Sequence, residues 1–145
     1  EFENGNWKDW GLYSTDDKEV KIENGSAVAD LKSVGTDPWS AQLQQKNITF
    51  EAGTKYILKM TVNAAVSRII NVQFNTSTDG YIAGTDIELT EGENVIVREI
   101  TVGADQETVE DGIFKINLGK IKDHDTPAGK LEFYNVALVK VNKEN

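Results

Sequence analysis

Apolar and polar residues alternate with a period of two along most of this chain, which is the pattern of β-strands that bury one face. Clusters of Gly, Asn, Asp and Thr interrupt the alternation at strand-length intervals and mark turns. No window has the spacing of a helix. The pattern predicts strands at Trp10–Tyr13, Glu19–Glu23, Ser26–Lys32, Ser40–Ile48, Lys55–Asn63, Ser67–Asn75, Ile87–Leu89, Asn94–Val102, Gly112–Leu118 and Leu131–Lys140.

So many short strands in 145 residues predict an all-β fold in which two antiparallel sheets pack as a sandwich. The length fits one domain, residues 1–145, with a core of its own. Both prolines, Pro38 and Pro127, fall in predicted loops, as expected for sheets with few proline-tolerant edges.

Three of the predicted strands have one apolar face and one face of amide or lysine side chains. Alternation assigns to the polar face Gln42, Gln44 and Lys46 in one strand, Asn71, Gln73 and Asn75 in another, and Lys115 and Asn117 in a third. It assigns to the opposite face Ala41, Leu43 and Gln45, then Ile70, Val72 and Phe74, then Phe114, Ile116 and Leu118.

An amide-rich face suits carbohydrate, because sugar hydroxyls both donate and accept hydrogen bonds and Gln and Asn do the same. The flat C–H faces of a pyranose stack on aromatic rings. Tyr13, Trp39 and Tyr81 lie in or beside predicted turns, where a ring can stand at the rim of a sheet. The alternative is a polar face that is merely solvated, with aromatic side chains that cover the core.

Charge and composition weigh against other classes of partner. The net charge of −9 repels a phosphate backbone, and no basic patch offsets it, so we expect no nucleic-acid partner. No apolar run approaches the ~18 residues of a membrane span, so we expect no membrane partner. The absence of cysteine excludes disulfides and thiolate chemistry.

Enzyme chemistry is disfavoured by the same polar faces. A glycosidase needs two carboxylates across its cleft, whereas the predicted polar faces carry amides, which are neither acids nor nucleophiles. Pairs such as Glu88 with Glu99 can be named only because acidic residues are abundant. His124, the single histidine, lies in a loop-like stretch, and no Gly-x-Ser-x-Gly turn exists to present a serine.

Six segments cover nearly the whole chain in order: NGNWKDWGLYSTD, PWSAQLQQ, FEAGTKYILKMTVNA, the Ile-Asn-Val-Gln strand, FKINLGK and LEFYNVALVKV. Together they resemble the family 4 carbohydrate-binding modules and their relatives in families 16 and 22. The resemblance implies a β-jelly-roll sandwich whose concave face forms an open cleft for one glucan chain. It also implies a non-catalytic module of a larger, secreted polysaccharide hydrolase.

The resemblance also implies which residues bind the glucan. Tyr13 and Tyr81 resemble the paired stacking tyrosines of the family, and Trp39 resembles its aromatic just before the Gln-bearing strand. The residues that fall where the family places polar cleft side chains, or that share their face, are Gln42, Gln44, Gln73, Lys115 and Asn117, together with Arg68. Strict alternation puts Arg68 on the face of Ile70 and Val72, so it reaches the cleft only through a bulge or a later strand start.

A structural calcium is a further implication of the resemblance. These modules often use an Asp-Asn-Val triplet in the closing strand, whereas this chain has Tyr134-Asn135-Val136 and lacks the carboxylate. Asn6, Gly25 and Asn135 remain as candidate oxygen ligands, with charge from Glu3, Asp30 or Glu132.

The expected ligand is a β-glucan, with β-1,4 or mixed β-1,3-1,4 linkages favoured because of the paired tyrosines. Xylan and β-1,3-glucan use the same kinds of residues and stay open, as does a structural or adhesive β-sandwich with a protein partner. We expect a secreted, monomeric module.

Overall fold

The computed structural model describes residues 10–13, 18–23, 25–121, 124 and 126–141, with the backbone alone for residues 10–13. Ten strands are present in this part of the chain. They are β1 (Trp10–Tyr13), β2 (Lys18–Glu23), β3 (Ser26–Leu31), β4 (Gln42–Phe50), β5 (Lys55–Ala64), β6 (Arg68–Asn75), β7 (Tyr81–Leu89), β8 (Gly92–Thr101), β9 (Val109–Asn117) and β10 (Gly129–Lys140).

The strands form two five-stranded antiparallel sheets. The front sheet has the order β1-β4-β9-β6-β7, and the back sheet has the order β2-β3-β10-β5-β8. Within the described residues the longest helix is a single 3-10 turn, Pro38–Ser40. No helix there is long and apolar enough to cross a membrane. The all-β sandwich predicted from the alternation is therefore confirmed.

The core lies between the two sheets and draws side chains from both. Phe50 and Phe74 of the front sheet stack with their ring centroids 4.3 Å apart. Tyr56 of the back sheet meets Phe74 edge to face at 5.5 Å, and its hydroxyl accepts a hydrogen bond from the Glu51 N–H at 2.8 Å. Burial raises the pKa of the Tyr56 hydroxyl.

The predicted core faces of β6 and β9 are confirmed. Every side chain assigned to the apolar face of these two strands, and that of Leu118 directly after β9, is fully buried: Ile70, Val72, Phe74, Phe114, Ile116 and Leu118. Since neighbouring side chains of a strand point to opposite faces, the polar residues between them project from the outer face of the front sheet. That outer face carries the site described below.

Strand β7 differs from the sequence prediction, which placed it at Ile87–Leu89. It begins at Tyr81. Its pairing with β6 skips Ile82, because Phe74 pairs with Ala83 and Asn75 with Tyr81. This bulge buries Ile82 and Ala83 in succession and so breaks the period of two that marks a strand.

Strand β4 begins two residues later than predicted, because Ser40 belongs to the 3-10 turn. Its register with β9 shifts between Gln45 and Ile48, where Asn47 has a φ of 62°. The shift turns Ile48 towards the core. The alternation that predicts the outer face in β4 therefore holds for Gln42 and Gln44 and ends at the bulge.

Candidate functional site

A depression of about 460 Å³ lies on the outer face of the front sheet, and we call it the cleft. Its lining is almost entirely polar: Trp39, Gln42, Gln44, Gln73, Asn75, Asp79, Lys115 and Asn117. Six of these eight residues are among those singled out from the sequence. The residues come from β4, β6 and β9, which are adjacent in the sheet, and from the segments just before β4 and β7.

Strand register brings the polar side chains into two rows across the sheet. In the first row Lys115 of β9 pairs with Gln44 of β4 on one side and with Gln73 of β6 on the other. Residues that pair across strands share a face. The three side chains therefore line the cleft together.

The second row, which we call the amide row, consists of Gln42, Asn117, Asn71 and Asp86. Gln42 pairs with Asn117, Asn117 with Asn71, and Asn71 with Asp86. The row thus crosses four strands of the front sheet. Gln42 and Asn117 are buried, with 8% and 3% of their surface exposed, so they form the floor of the cleft rather than its rim.

Side-chain hydrogen bonds connect the amide row from end to end. Gln42 Nε2 donates to Asn117 Oδ1 at 2.8 Å, and Asn117 Nδ2 donates to Asn71 Oδ1 at 3.0 Å. Asn71 Nδ2 donates to an Asp86 carboxylate oxygen at 2.9 Å. Gln44 Nε2 joins from the first row by donating to Gln42 Oε1 at 2.8 Å.

Lys115 is the one cation among the described lining residues of the cleft, and Asp79 compensates its charge. Their Nζ and Oδ1 atoms lie 2.6 Å apart, and the lysine side chain is only 11% exposed. Asp79 belongs to the turn between β6 and β7 and has a φ of 68°, which Asp tolerates better than most residues. The pair therefore ties this turn to the centre of the front sheet.

Hydrogen bonds within the same turn hold it in one conformation. The Thr76 N–H donates to Gly80 O at 2.8 Å, and the Gly80 N–H donates to Thr76 Oγ1 at 2.8 Å. Asn75 Nδ2 donates to the carbonyl of Asp79 at 3.4 Å. Tyr81 follows directly and is 63% exposed, so a closely bonded turn presents an exposed ring beside the cleft.

Gly84 leaves space for the Tyr81 ring. Gly84 pairs with Gln73, and a Cβ at this position would lie 3.3 Å from Tyr81 Cε1 and 3.1 Å from Gln73 Cγ. It would also lie 2.6 Å from the carbonyl oxygen of Val72. The missing side chain thus allows the tyrosine ring to lie next to Gln73, at the end of the first row.

Trp39 stands at the other end of the cleft, on the 3-10 turn before β4, and is 63% exposed. The Gly119 N–H donates to Pro38 O at 2.8 Å and fixes this turn against the end of β9. A Cβ on Gly119 would lie 2.1 Å from Asp37 O, so only glycine allows this approach. Tyr13 pairs through its backbone with Gln42, and its side chain lies outside the described residues.

A family model described as a carbohydrate binding domain matches residues 1–126. The chain belongs to this family of carbohydrate-binding domains. This confirms the family resemblance of the sequence. No curated protein sequence matches the chain significantly.

Solved structures share the fold of this carbohydrate-binding domain. The second N-terminal cellulose-binding domain of Cellulomonas fimi β-1,4-glucanase C matches with a TM-score of 0.74 and 19% identity, over 97% of this chain and 92% of that one. The first such domain of the same enzyme matches with a TM-score of 0.67 and 20% identity, over 93% and 90%. The CBM22-2 xylan-binding domain of Paenibacillus barcinonensis Xyn10C matches with a TM-score of 0.60 and 11% identity, over 97% and 99%.

Arg68 does not lie in the cleft of this carbohydrate-binding domain. The pairing of β6 with β7 runs without a bulge from Arg68 to Phe74. The Arg68 side chain therefore points to the same face as Ile70, and it is buried. Arg68 Nη2 donates to Gly119 O at 3.2 Å, and burial lowers the pKa of the guanidinium to about 10. The location in the cleft expected from the resemblance is wrong for this residue.

The candidate calcium ligands lie in part outside the described residues. Asn6 lies outside them, whereas Gly25 and Asn135 are described. Phe133 pairs with Ala27, and beyond that pair the register of β10 shifts between Tyr134 and Ala137, where Asn135 has a φ of 58°. The described residues contain no cluster of three or more His, Cys, Asp or Glu side chains that could hold a metal.

Alternation assigned Asn71 and Asn75 to the polar face, but neither was named as a ligand-binding residue, and Asp79, Gly84 and Asp86 were not singled out from the sequence. A signal existed for Asn71 and Asn75, because they alternate with the core residues of β6 in the same way as Gln73. No comparable signal marked Gly84 and Asp86, because the predicted β7 began after both of them.

Proposed function

We propose that this carbohydrate-binding domain binds one chain of a neutral β-glucan in the cleft and has no catalytic activity of its own. Linkages of the β-1,4 or mixed β-1,3-1,4 type are favoured. The observation that carries the proposal is a cleft floor of hydrogen-bonded amides with one exposed ring in its lining, Trp39, and a second exposed ring beside it, Tyr81.

The chemistry of the floor suits neutral hydroxyl groups. Each amide has two N–H donors and an oxygen with two lone pairs, so an amide already bonded to a neighbour can still donate and accept. The exposed rings supply apolar surfaces of the kind that stack on the C–H face of a pyranose. Because Lys115 is already paired with Asp79, the described lining residues of the cleft offer no uncompensated cation for an acidic sugar.

The carboxylates around the cleft support a binding role rather than catalysis. Asp79 bonds to Lys115, and Asp86 accepts from Asn71. The pair named from the sequence is separated between the sheets, since Glu88 lies in β7 and Glu99 in β8. Glu99 also lies 3.4 Å from Lys55 Nζ. A glycosidase instead needs two carboxyl groups at about 5 Å or 6.5–9.5 Å across the bound sugar.

The two Cellulomonas domains that share this fold are described as cellulose-binding, which supports placing β-1,4-glucan first. A xylan-binding domain shares the fold as well, so xylan and β-1,3-glucan belong in the test. We further propose that the domain acts as a monomer, outside the cell, by holding an attached glycoside hydrolase on its polysaccharide.

A structural calcium ion is a separate part of the proposal. The carbonyl of Gly25 and the side chain of Asn135, with Asn6, are the oxygen ligands that we propose. Calcium accepts carbonyl oxygens of this kind at six to eight positions. Gly25 directly precedes β3 and Asn135 belongs to β10, both strands of the back sheet, so calcium bound there should affect stability and not sugar contact.

The proposal is tested by calorimetric titration with hexasaccharides of cellulose, mixed-linkage glucan, β-1,3-glucan and xylan. We expect the first two to bind most tightly. Tyr81→Ala should weaken binding by about 5- to 150-fold, equivalent to losing about 1–3 kcal/mol of stacking. Val97→Ala is the control, since Val97 is 59% exposed on the back sheet. Equal losses for the two variants, or no heat with any glycan, would contradict the proposal.

A further inference from the structure

The amide row has a single direction. Every bond in it runs from an amide N–H to the oxygen of the next side chain, from Gln42 to the carboxylate of Asp86, and Gln44 donates into the row in the same direction. A chain of amides alone could run in either direction, because each amide can be turned by 180° about its last bond and then donates where it accepted before. A group at one end that can only donate or only accept hydrogen bonds is therefore needed to fix the direction.

Asp86 fixes the direction of the row, because an ionised carboxylate can only accept hydrogen bonds. Asn71 must therefore turn its NH₂ group towards Asp86, which leaves its carbonyl oxygen facing Asn117. Asn117 must then turn its own NH₂ towards Asn71, and the same constraint passes to Gln42. The bond lengths of 2.8–3.0 Å along the row are those of well-formed hydrogen bonds.

We propose that Asp86 is a positioning residue that sets the orientation of every amide in the row, and thereby which donors and acceptors the cleft offers to a glycan. This inference rests on the proposed function of the cleft. Asp86 acts through Asn71 and does not line the cleft itself. Its effect reaches Gln42 and Asn117, which do line it, across three strand pairs.

A fixed orientation matters because each sugar hydroxyl must meet the correct partner. An amide inside the row uses one N–H and one lone pair on its neighbours and has one of each left. If the row could reverse, donors and acceptors would exchange places, and a hydroxyl would have to order the row before binding. Orientation that is set in advance removes this cost from the binding free energy.

The test uses Asp86→Asn, which keeps the size of the side chain but replaces an obligate acceptor by a group that can also donate. Glu88→Gln is the matched control. It makes the same change of charge on the same strand, two residues further along, at an exposed residue that pairs with Ile69 instead of Asn71. Both variants should melt within a few degrees of the parent, because both side chains are exposed.

Two measurements are made on each variant. Without ligand, the side-chain NH₂ resonances of Asn71, Asn117 and Gln42 in ¹⁵N-correlated spectra should move in Asp86→Asn and stay in place in Glu88→Gln. With cellohexaose, Asp86→Asn should bind about 3- to 10-fold more weakly, and Glu88→Gln should bind like the parent.

Each outcome bears on a different step. Unchanged NH₂ resonances in folded Asp86→Asn would overturn the proposal, and so would an affinity equal to that of Glu88→Gln. If the parent protein bound none of the glycans, the proposed function would fail alone. The NH₂ spectra would still decide whether Asp86 orients the row, because they need no ligand.

Discussion

Val72 and Gln73 are adjacent in β6 and point to opposite faces of the front sheet, so they test the two faces separately. Val72 is fully buried in the core. Replacing it by Ala removes two methyl groups, at about 0.8 kcal/mol each in transfer free energy, and the cavity left behind adds about 1 kcal/mol. We expect the free energy of unfolding to fall by about 2.5 kcal/mol and the melting temperature by about 5–10 °C.

Gln73→Ala should have the opposite profile. Gln73 lines the cleft and is only partly buried, so its removal should leave the melting temperature within a few degrees. A neutral hydrogen bond to sugar in a wet cleft contributes about 0.5–1.5 kcal/mol, because water partly replaces it. The affinity for a β-glucan should therefore fall by about 2- to 12-fold.

Thermal melts and calorimetric titrations of both purified variants provide the measurement. Val72→Ala should lose stability and keep its affinity at a temperature where it is folded, and Gln73→Ala should do the reverse. If Gln73→Ala unfolded the protein while Val72→Ala left it stable, the faces would be inverted. The assignment of the outer face as a binding surface would then fall.

Three further predictions concern the cleft and the metal. Gly84→Ala should lower the free energy of unfolding by about 1–3 kcal/mol in thermal melts and should weaken glucan binding, because the new Cβ meets the Val72 carbonyl and the Tyr81 ring; unchanged melts and titrations would contradict this. The affinity for cellohexaose should change less than about 2-fold between low and moderate salt, since neutral hydroxyls release no counterions; a steep loss in salt titrations would argue for a charged ligand. Chelation of calcium should lower the melting temperature without changing glucan affinity, and an identical melting curve after chelation would contradict the proposed calcium site.

Much of the fold could be predicted from the sequence because one rule, the alternation of a strand with one buried face, decides the position of most side chains. It correctly separated Phe114 and Ile116 from Lys115 and Asn117 in β9. The same rule gave the cleft amides of β4 and β6. It succeeds wherever the register runs without a bulge.

The rule fails where the backbone departs from regular pairing. In β7 the bulge at Ile82 and the glycine at position 84 removed both the alternation and the β-propensity, so the strand was predicted too short. Asp86 therefore fell outside the predicted strand and was not assigned to either face. For Arg68 the family resemblance was wrong and the alternation was right. Alternation placed the side chain on the face of Ile70, whereas the resemblance placed it in the cleft.

The hydrogen bonds between the polar side chains, and their direction, cannot be predicted from a local sequence pattern. The amide row joins residues that are 75 positions apart, Gln42 and Asn117, and 46 apart, Asn71 and Asn117. Their contact depends on the order of strands in the front sheet. The sequence predicts an amide-rich face, but only the sheet topology shows that its members are bonded to each other and to Asp86.

The central claim is that a β-glucan chain binds on the outer face of the front sheet, and a titration of ¹⁵N-labelled protein with cellohexaose tests it most directly. We expect the resonances of the Trp39 indole N–H and of the side-chain amides of Gln44, Gln73 and Asn117 to shift progressively and saturate, while the backbone amide resonance of Val97 on the back sheet stays in place. Shifts centred on the back sheet, or none at saturating sugar, would contradict binding in the cleft.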